Sequence, residues 1–169
     1  VPTLQSLSIK GVLILLWSRD DTKRLIESKL DTIFHKNIKE WEQVEDKIKQ
    51  DILCLLPKPI ANEFGDHLRP IGLELLAWIE FHFMHVELEP KIPNKIYWTS
   101  KGSIDLLKTA EILIKDESLG LYDRYKLACA FCLETPIREL WGRVDQNEIK
   151  QDEYGLVLYW SHWNQREVP

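Results

Sequence analysis

Two pairs of side chains in this chain have the types and spacing of metal or redox chemistry: Cys129-Ala-Phe-Cys132 and His82-Phe-Met-His85. A Cys-x-x-Cys pair exchanges disulfides when its first cysteine stands at a helix N-terminus, where the dipole favours the thiolate. Here the preceding Asp123-Arg-Tyr-Lys-Leu-Ala128 already reads as helix, so the pair falls inside the element at i and i+3. Small buried packing residues are the better reading of both thiols. Together with His82 and His85 they complete the inventory of a Cys₂His₂ zinc site. More than forty residues separate the two halves, which is no compact zinc finger, and no His-Glu-x-x-His occurs.

Other chemistry is sparser still. Asp20-Asp21 is followed by Thr22-Lys23-Arg24, without the further acid that an aspartate-rich Mg²⁺ site needs, and reads as a helix N-cap. No phosphate-binding glycine loop, Gly-x-Ser-x-Gly elbow or Ser/His/Asp arrangement can be picked out. The tryptophans at 17, 41, 78, 98, 141, 160 and 163 read as packing anchors spread along the chain. Of these, Trp141, Trp160 and Trp163 lie near the C-terminal end and are the candidates for partner contact.

The elements that would position these residues follow a helical period almost throughout. A first helix is predicted from an N-cap at Thr3, after Pro2, to Trp17, burying Leu4, Leu7, Val12, Leu15 and Leu16. A break at Ser18–Asp21 precedes a short helix through Leu25, Ile26 and Leu30. A surface helix follows at about Ile38–Leu53, with Trp41, Val44, Ile48 and Ile52 inward. Proline at 59 and 70 divides the next stretch into two helices, about Pro59–Leu68 and Pro70–Val86. The second is apolar nearly all round and is predicted to be central. Residues 87–95, with Pro90 and Pro93, form the longest loop, and 96–99 a short extended piece turning at Lys101-Gly102.

Beyond the turn, Asp105 caps a helix to about Lys115 with Leu106, Leu107, Ala110, Leu113 and Ile114 inward. The next helix, about 121–133, has no polar side chain from Leu127 to Leu133 beyond its two thiols and belongs at the centre of a helical array. Thr135-Pro136 is an N-cap and N1 pair for a helix presenting Ile137, Leu140 and Trp141. Asp145–Glu153 is polar, and a last helix starts near Tyr154 with Leu156, Val157, Tyr159 and Trp160 on show. The expected fold is all-α, a compact irregular array of about seven to nine helices. Its C-terminal half resembles the start of an α-solenoid of antiparallel helix pairs. The 169 residues fit one domain, or two subdomains, 1–89 and 96–169.

Three stretches resemble one group of sequences: Ile96-Tyr-Trp-Thr99 with Gly102-Ser-Ile-Asp105, Arg124–Glu134 with Glu139-Leu-Trp141, and Leu156-Val-Leu-Tyr-Trp160. The group consists of uncharacterised arthropod, chiefly spider, proteins that are all-helical and often continue into ankyrin-like repeats. The resemblance is best from about residue 70 onward. It implies an architecture and an intracellular interaction role, and no catalytic residue or cofactor.

Composition bounds the function classes. With 44% hydrophobic and 29% charged residues the chain is globular, and its net charge of −5 with scattered bases offers no basic face for nucleic acid. The apolar run Val12–Trp17 is far short of the ~20 residues of a membrane span. Three cysteines do not make a secreted disulfide framework and suggest reduced thiols in an intracellular, cytoplasmic protein. Opening at Val1, with Met84 its sole methionine, the chain is expected to be a fragment or processed product. The function expected is a non-enzymatic interaction or scaffold module with a protein partner and no cofactor. The alternatives are a zinc-stabilised or thiol-dependent protein using Cys129, Cys132, His82 and His85, and an enzyme whose site has no recognisable motif.

Overall fold

The computed structural model describes residues 3–34, 38–86, 88, 92–151 and 155–167. Expectations that fall on Pro2, Glu87, Glu89, Pro90 and Tyr154, or on the His85 side chain, lie outside them. Among the described residues the structure is all-α, with ten helices and one isolated antiparallel bridge between Trp98 and Ile104. The helices are α1 (Leu4–Trp17), α2 (Asp20–Glu27), α3 (Leu30–Phe34), α4 (Ile38–Leu55), α5 (Lys58–His85), α6 (Leu106–Ile114), α7 (Leu121–Ala130), α8 (Glu134–Trp141), α9 (Gln146–Gln151) and α10 (Gly155–Glu167). The expected count of seven to nine changes because one predicted helix is two (α2 and α3), two are one (α5), and the polar stretch after Asp145 contains α9.

The chain divides into two compact units: Val1–Phe81, Pro90–Asn94 and Trp98–Asp105 form the first, and His82–Glu89, Lys95–Tyr97 and Leu106–Pro169 the second. The first unit is organised by two tryptophans. Trp17 at the end of α1 and Trp41 near the start of α4 are fully buried, their rings nearly parallel at 5.2 Å. Trp17 Nε1 donates to the Leu68 carbonyl of α5 at 3.3 Å, and its ring lies where a Cβ on Gly72 would stand. Glycine at 72 is therefore what lets α5 pass so close to the indole. Trp41, Val44, Ile48 and Ile52 are all buried, as their three-and-four spacing requires.

Helix α5 runs unbroken through Pro70, where the sequence predicts two helices. Its buried residues Ala61, Phe64, Leu68, Ile71, Leu75 and Trp78 keep one alternating three-and-four spacing on both sides of the proline. Pro70 itself faces solvent, so its ring and missing N–H cost one bond of the ladder without disturbing the packed face. Nor is this helix enclosed: Leu73, Ala77, Phe81 and Met84 form an exposed row along it. The bridge beyond α5 closes the predicted turn, with Gly102 at φ 85°, a conformation that favours glycine.

In the second unit α7 is the enclosed helix. Five consecutive residues, Tyr125 to Cys129, are buried, which happens only when neighbours cover every side; α6, α8 and α10 all pack against it. α6 buries Thr109, Ala110, Leu113 and Ile114, while Leu106 and Leu107, expected inward, are exposed. Thr109 instead faces inward to accept the Tyr97 amide on its hydroxyl at 3.0 Å. α8 begins at Glu134 with Leu133 as N-cap, so Thr135 and Pro136 lie two positions deeper in the first turn than predicted. Proline is tolerated there because first-turn amides have no helical partner.

Candidate functional site

The cysteine pair does not share a helix. α7 ends at Ala130, and Cys132 lies beyond it in the left-handed region at φ 51°. The Leu133 amide donates to the Ala128 carbonyl at 2.9 Å and the Cys132 amide to the Cys129 carbonyl at 3.1 Å. These two bonds are a Schellman cap, with Cys132 in the position that glycine usually occupies. The thiols accordingly part: Cys129 is buried inside α7 and Cys132 is exposed. Burial first, then the neighbouring Cys129, pushes the Tyr125 hydroxyl far above the ordinary tyrosine range, with Asn164 of α10 opposing.

His82 is buried in the last turn of α5, its ring stacked at 6.2 Å on Phe131. Among the described residues no group of three or more His, Cys, Asp or Glu side chains is placed to hold a metal ion. Asp20 and Asp21 open α2 as its first two residues, after Arg19 as N-cap, rather than capping it. Asp21 is drawn into a surface pair with Arg19 at 2.7 Å.

The three tryptophans expected at a contact surface are brought only partly together. Trp160 and Trp163 meet edge to face at 5.3 Å on α10, with the exposed Tyr159 against Trp160 and the Arg138 guanidinium 4.5 Å over Trp163. All three indoles are half-buried, and Trp141 instead leans on Tyr125 within the unit at 6.1 Å. Trp141 thus ties α8 to α7, and Trp163 ties α10 to α8 through Arg138.

Two concavities of about 300 Å³ each lie in the first unit. One, between α4 and α5, is lined by Ile52, Leu53, Ala61, Gly65 and Leu68 with Lys49 and Asn62 at the rim. The other is polar, and two of its ionisable groups are bonded within it: Lys23 donates to Asn94 at 2.9 Å and Glu27 accepts the Ile92 amide at 2.9 Å. Neither aligns a nucleophile with a base.

The site that stands out lies on α1, which turns outward part of the side that its sequence predicts to be buried. α1 buries Ile9, Leu13 and Trp17, spaced by four, instead of the five residues expected. Leu4 and Leu15 are left 82% and 69% exposed, and Val12 43%. The exposed centre line of the helix reads Leu4, Ser8, Gly11, Leu15, flanked by Leu7, Val12 and Ile14. The polar side chains of α1 are drawn off to its flanks. Gln5 donates to the Glu63 carboxylate, and Lys10 Nζ donates to the Lys101 carbonyl at 3.1 Å. Ser8 folds its hydroxyl back onto the Leu4 carbonyl at 2.9 Å. The outer face of about four turns thus carries no ionisable side chain.

No protein-family model, curated protein or solved structure matches this chain. The site therefore rests on its own geometry. The signal that marks it in the sequence is the near absence of charge from α1, which carries Lys10 alone, where a surface helix should have a solvated side. That signal locates the helix but gives no direction to its buried side.

Proposed function

We propose that the chain is a non-enzymatic protein-interaction module whose docking surface is the outer face of α1. One observation carries this reading: two leucines more than two-thirds exposed, in line on a helix face free of charge. Contiguous apolar surface of this kind marks contact sites in folded proteins. Burying each leucine returns about 2 kcal/mol before the costs of association. The half-buried Trp160 and Trp163, with exposed Tyr159, are a secondary contact patch in the second unit. An intracellular setting belongs to the same proposal, because the exposed thiols of Cys54 and Cys132 stay reduced there. It agrees with the interaction role that the resemblance to the arthropod helical proteins implies.

The test compares the wild-type chain with Leu4→Glu/Leu15→Glu in crosslinking and affinity capture from source tissue. Both substitutions place a carboxylate in open solvent, so the circular dichroism spectrum and melting temperature are expected to stay unchanged. Capture is expected to fall at least tenfold. Equal capture by the folded double variant would remove α1 as the docking surface.

A further inference from the structure

We infer that the occupant of this face is a second copy of the same chain, paired antiparallel through α1. The inference rests on the docking role proposed above and names its partner. Leu4, Ser8, Gly11 and Leu15 are spaced by four, three and four, which sets them in one line along the helix. Read from either end, the line is large, small, small, large. Turned antiparallel onto itself, it sets Leu4 opposite the partner's Leu15 and Ser8 opposite the partner's Gly11. Small residues then meet at the centre, where two helix backbones approach most closely, and leucines interlock at both ends.

The local geometry favours that approach. A Cβ at Gly11 would meet nothing within 4 Å, so the waist of the face is open. The hydroxyl of Ser8 is already bonded to its own helix and needs no partner across the seam. An isologous pair needs a self-complementary patch, and an uncharged one brings no like charges together at the axis. A lipid surface is the less favoured occupant, because Lys10, the one cation of α1, is tied to Lys101 and the chain is acidic. Four turns of helix cover less than the ~1,200 Å² of a stable interface, so the pair is weak and reversible.

Sedimentation velocity of the purified chain from about 10 μM to 1 mM is expected to show monomer passing to dimer. Leu15→Glu, unchanged in thermal melting, is expected to stay monomeric over that range. The register is read in a Cys54→Ser/Cys132→Ser background by oxidising Leu4→Cys and Leu15→Cys chains alone and mixed. The mixture is expected to crosslink. Leu4→Cys alone is not, because its two copies would stand about 16 Å apart along the axis, beyond disulfide reach.

Monomer at every concentration overturns the second copy. So does Leu4→Cys crosslinking with itself as fast as with Leu15→Cys. If the purified chain stays monomeric while capture from tissue still depends on Leu4 and Leu15, the inference falls and the docking role stands. If the chain neither dimerises nor captures protein through α1 but binds phosphatidylcholine vesicles in a Leu15-dependent manner, both fall.

Discussion

Cys132 shows how a residue's chemistry and its structural duty part company. Its spacing from Cys129 is that of a redox pair, yet its backbone terminates α7 in a conformation that costs a non-glycine residue about 1 kcal/mol. The exposed thiol makes no contribution that offsets this cost. Cys132→Gly is therefore expected to raise stability by about 0.5–1 kcal/mol, and Cys132→Val to lower it by more, both read from urea unfolding midpoints. If the thiol served a metal or disulfide, glycine would destabilise instead. The cap was not legible in the sequence, because glycine is the usual sign of a helix end and here a cysteine occupies the place. Cys129, by contrast, is buried as the apolar run from Leu127 implies.

At the scale of elements, helices were legible wherever apolar residues recur at three and four on an otherwise charged background, as in α4. Where that background is missing, the facing is lost. α1 is apolar at almost every angle, so periodicity alone could not choose between Leu4–Leu15 and Ile9–Leu13–Trp17 as the inward side. What decides is a tertiary contact, the stacking of Trp17 on Trp41, which no local pattern records. Pro70 misled in the opposite sense, since a proline on the solvent face leaves the buried spacing of α5 intact. Two glycines test this picture of the first unit. A Cβ at Gly72 would stand 2.3 Å from Trp17 Cζ2, on a ring wedged against Trp41 and unable to retreat. Gly72→Ala is expected to cost about 1–3 kcal/mol by overpacking. Gly11→Ala, on the open face of α1, is expected to add about 1 kcal/mol from helix propensity alone. Denaturant titration of the two variants checks both signs, and equal signs would mean that α1 is docked differently.

For the molecule as a whole, three carboxylates among the described residues make stability depend on pH: Asp116 in the second unit and Asp21 in the first, paired with Arg19, are held low, and Glu45 in the first is raised. In the second unit the Lys95 ammonium, first, and then the Ser118 hydroxyl and amide hold the Asp116 carboxyl down to about 2. An unfolded aspartate titrates near ~3.9, so between about 4 and 2 the unfolded chain binds more protons. The contribution of Asp116 is complete above pH ~4 and is lost as pH falls through that window. In the first unit, burial raises the Glu45 carboxyl above the ordinary glutamate range, against the opposing pull of Arg69 and the Trp41 indole N–H. The folded chain then binds more protons than the unfolded one just above pH ~4.3, and stability falls as pH rises through that region. Unfolding free energy measured from pH 2 to 7 is expected to decline on both sides of a maximum between about pH 4 and 5. Asp116→Asn should reduce the acid limb, whose remainder belongs to Asp21, and leave the other unchanged. Glu45→Gln, which keeps an acceptor for Trp41 Nε1, should flatten the upper limb alone. Each substitution tests one unit, because each carboxylate is bound only to groups of its own unit, and a variant that altered both limbs would contradict that separation.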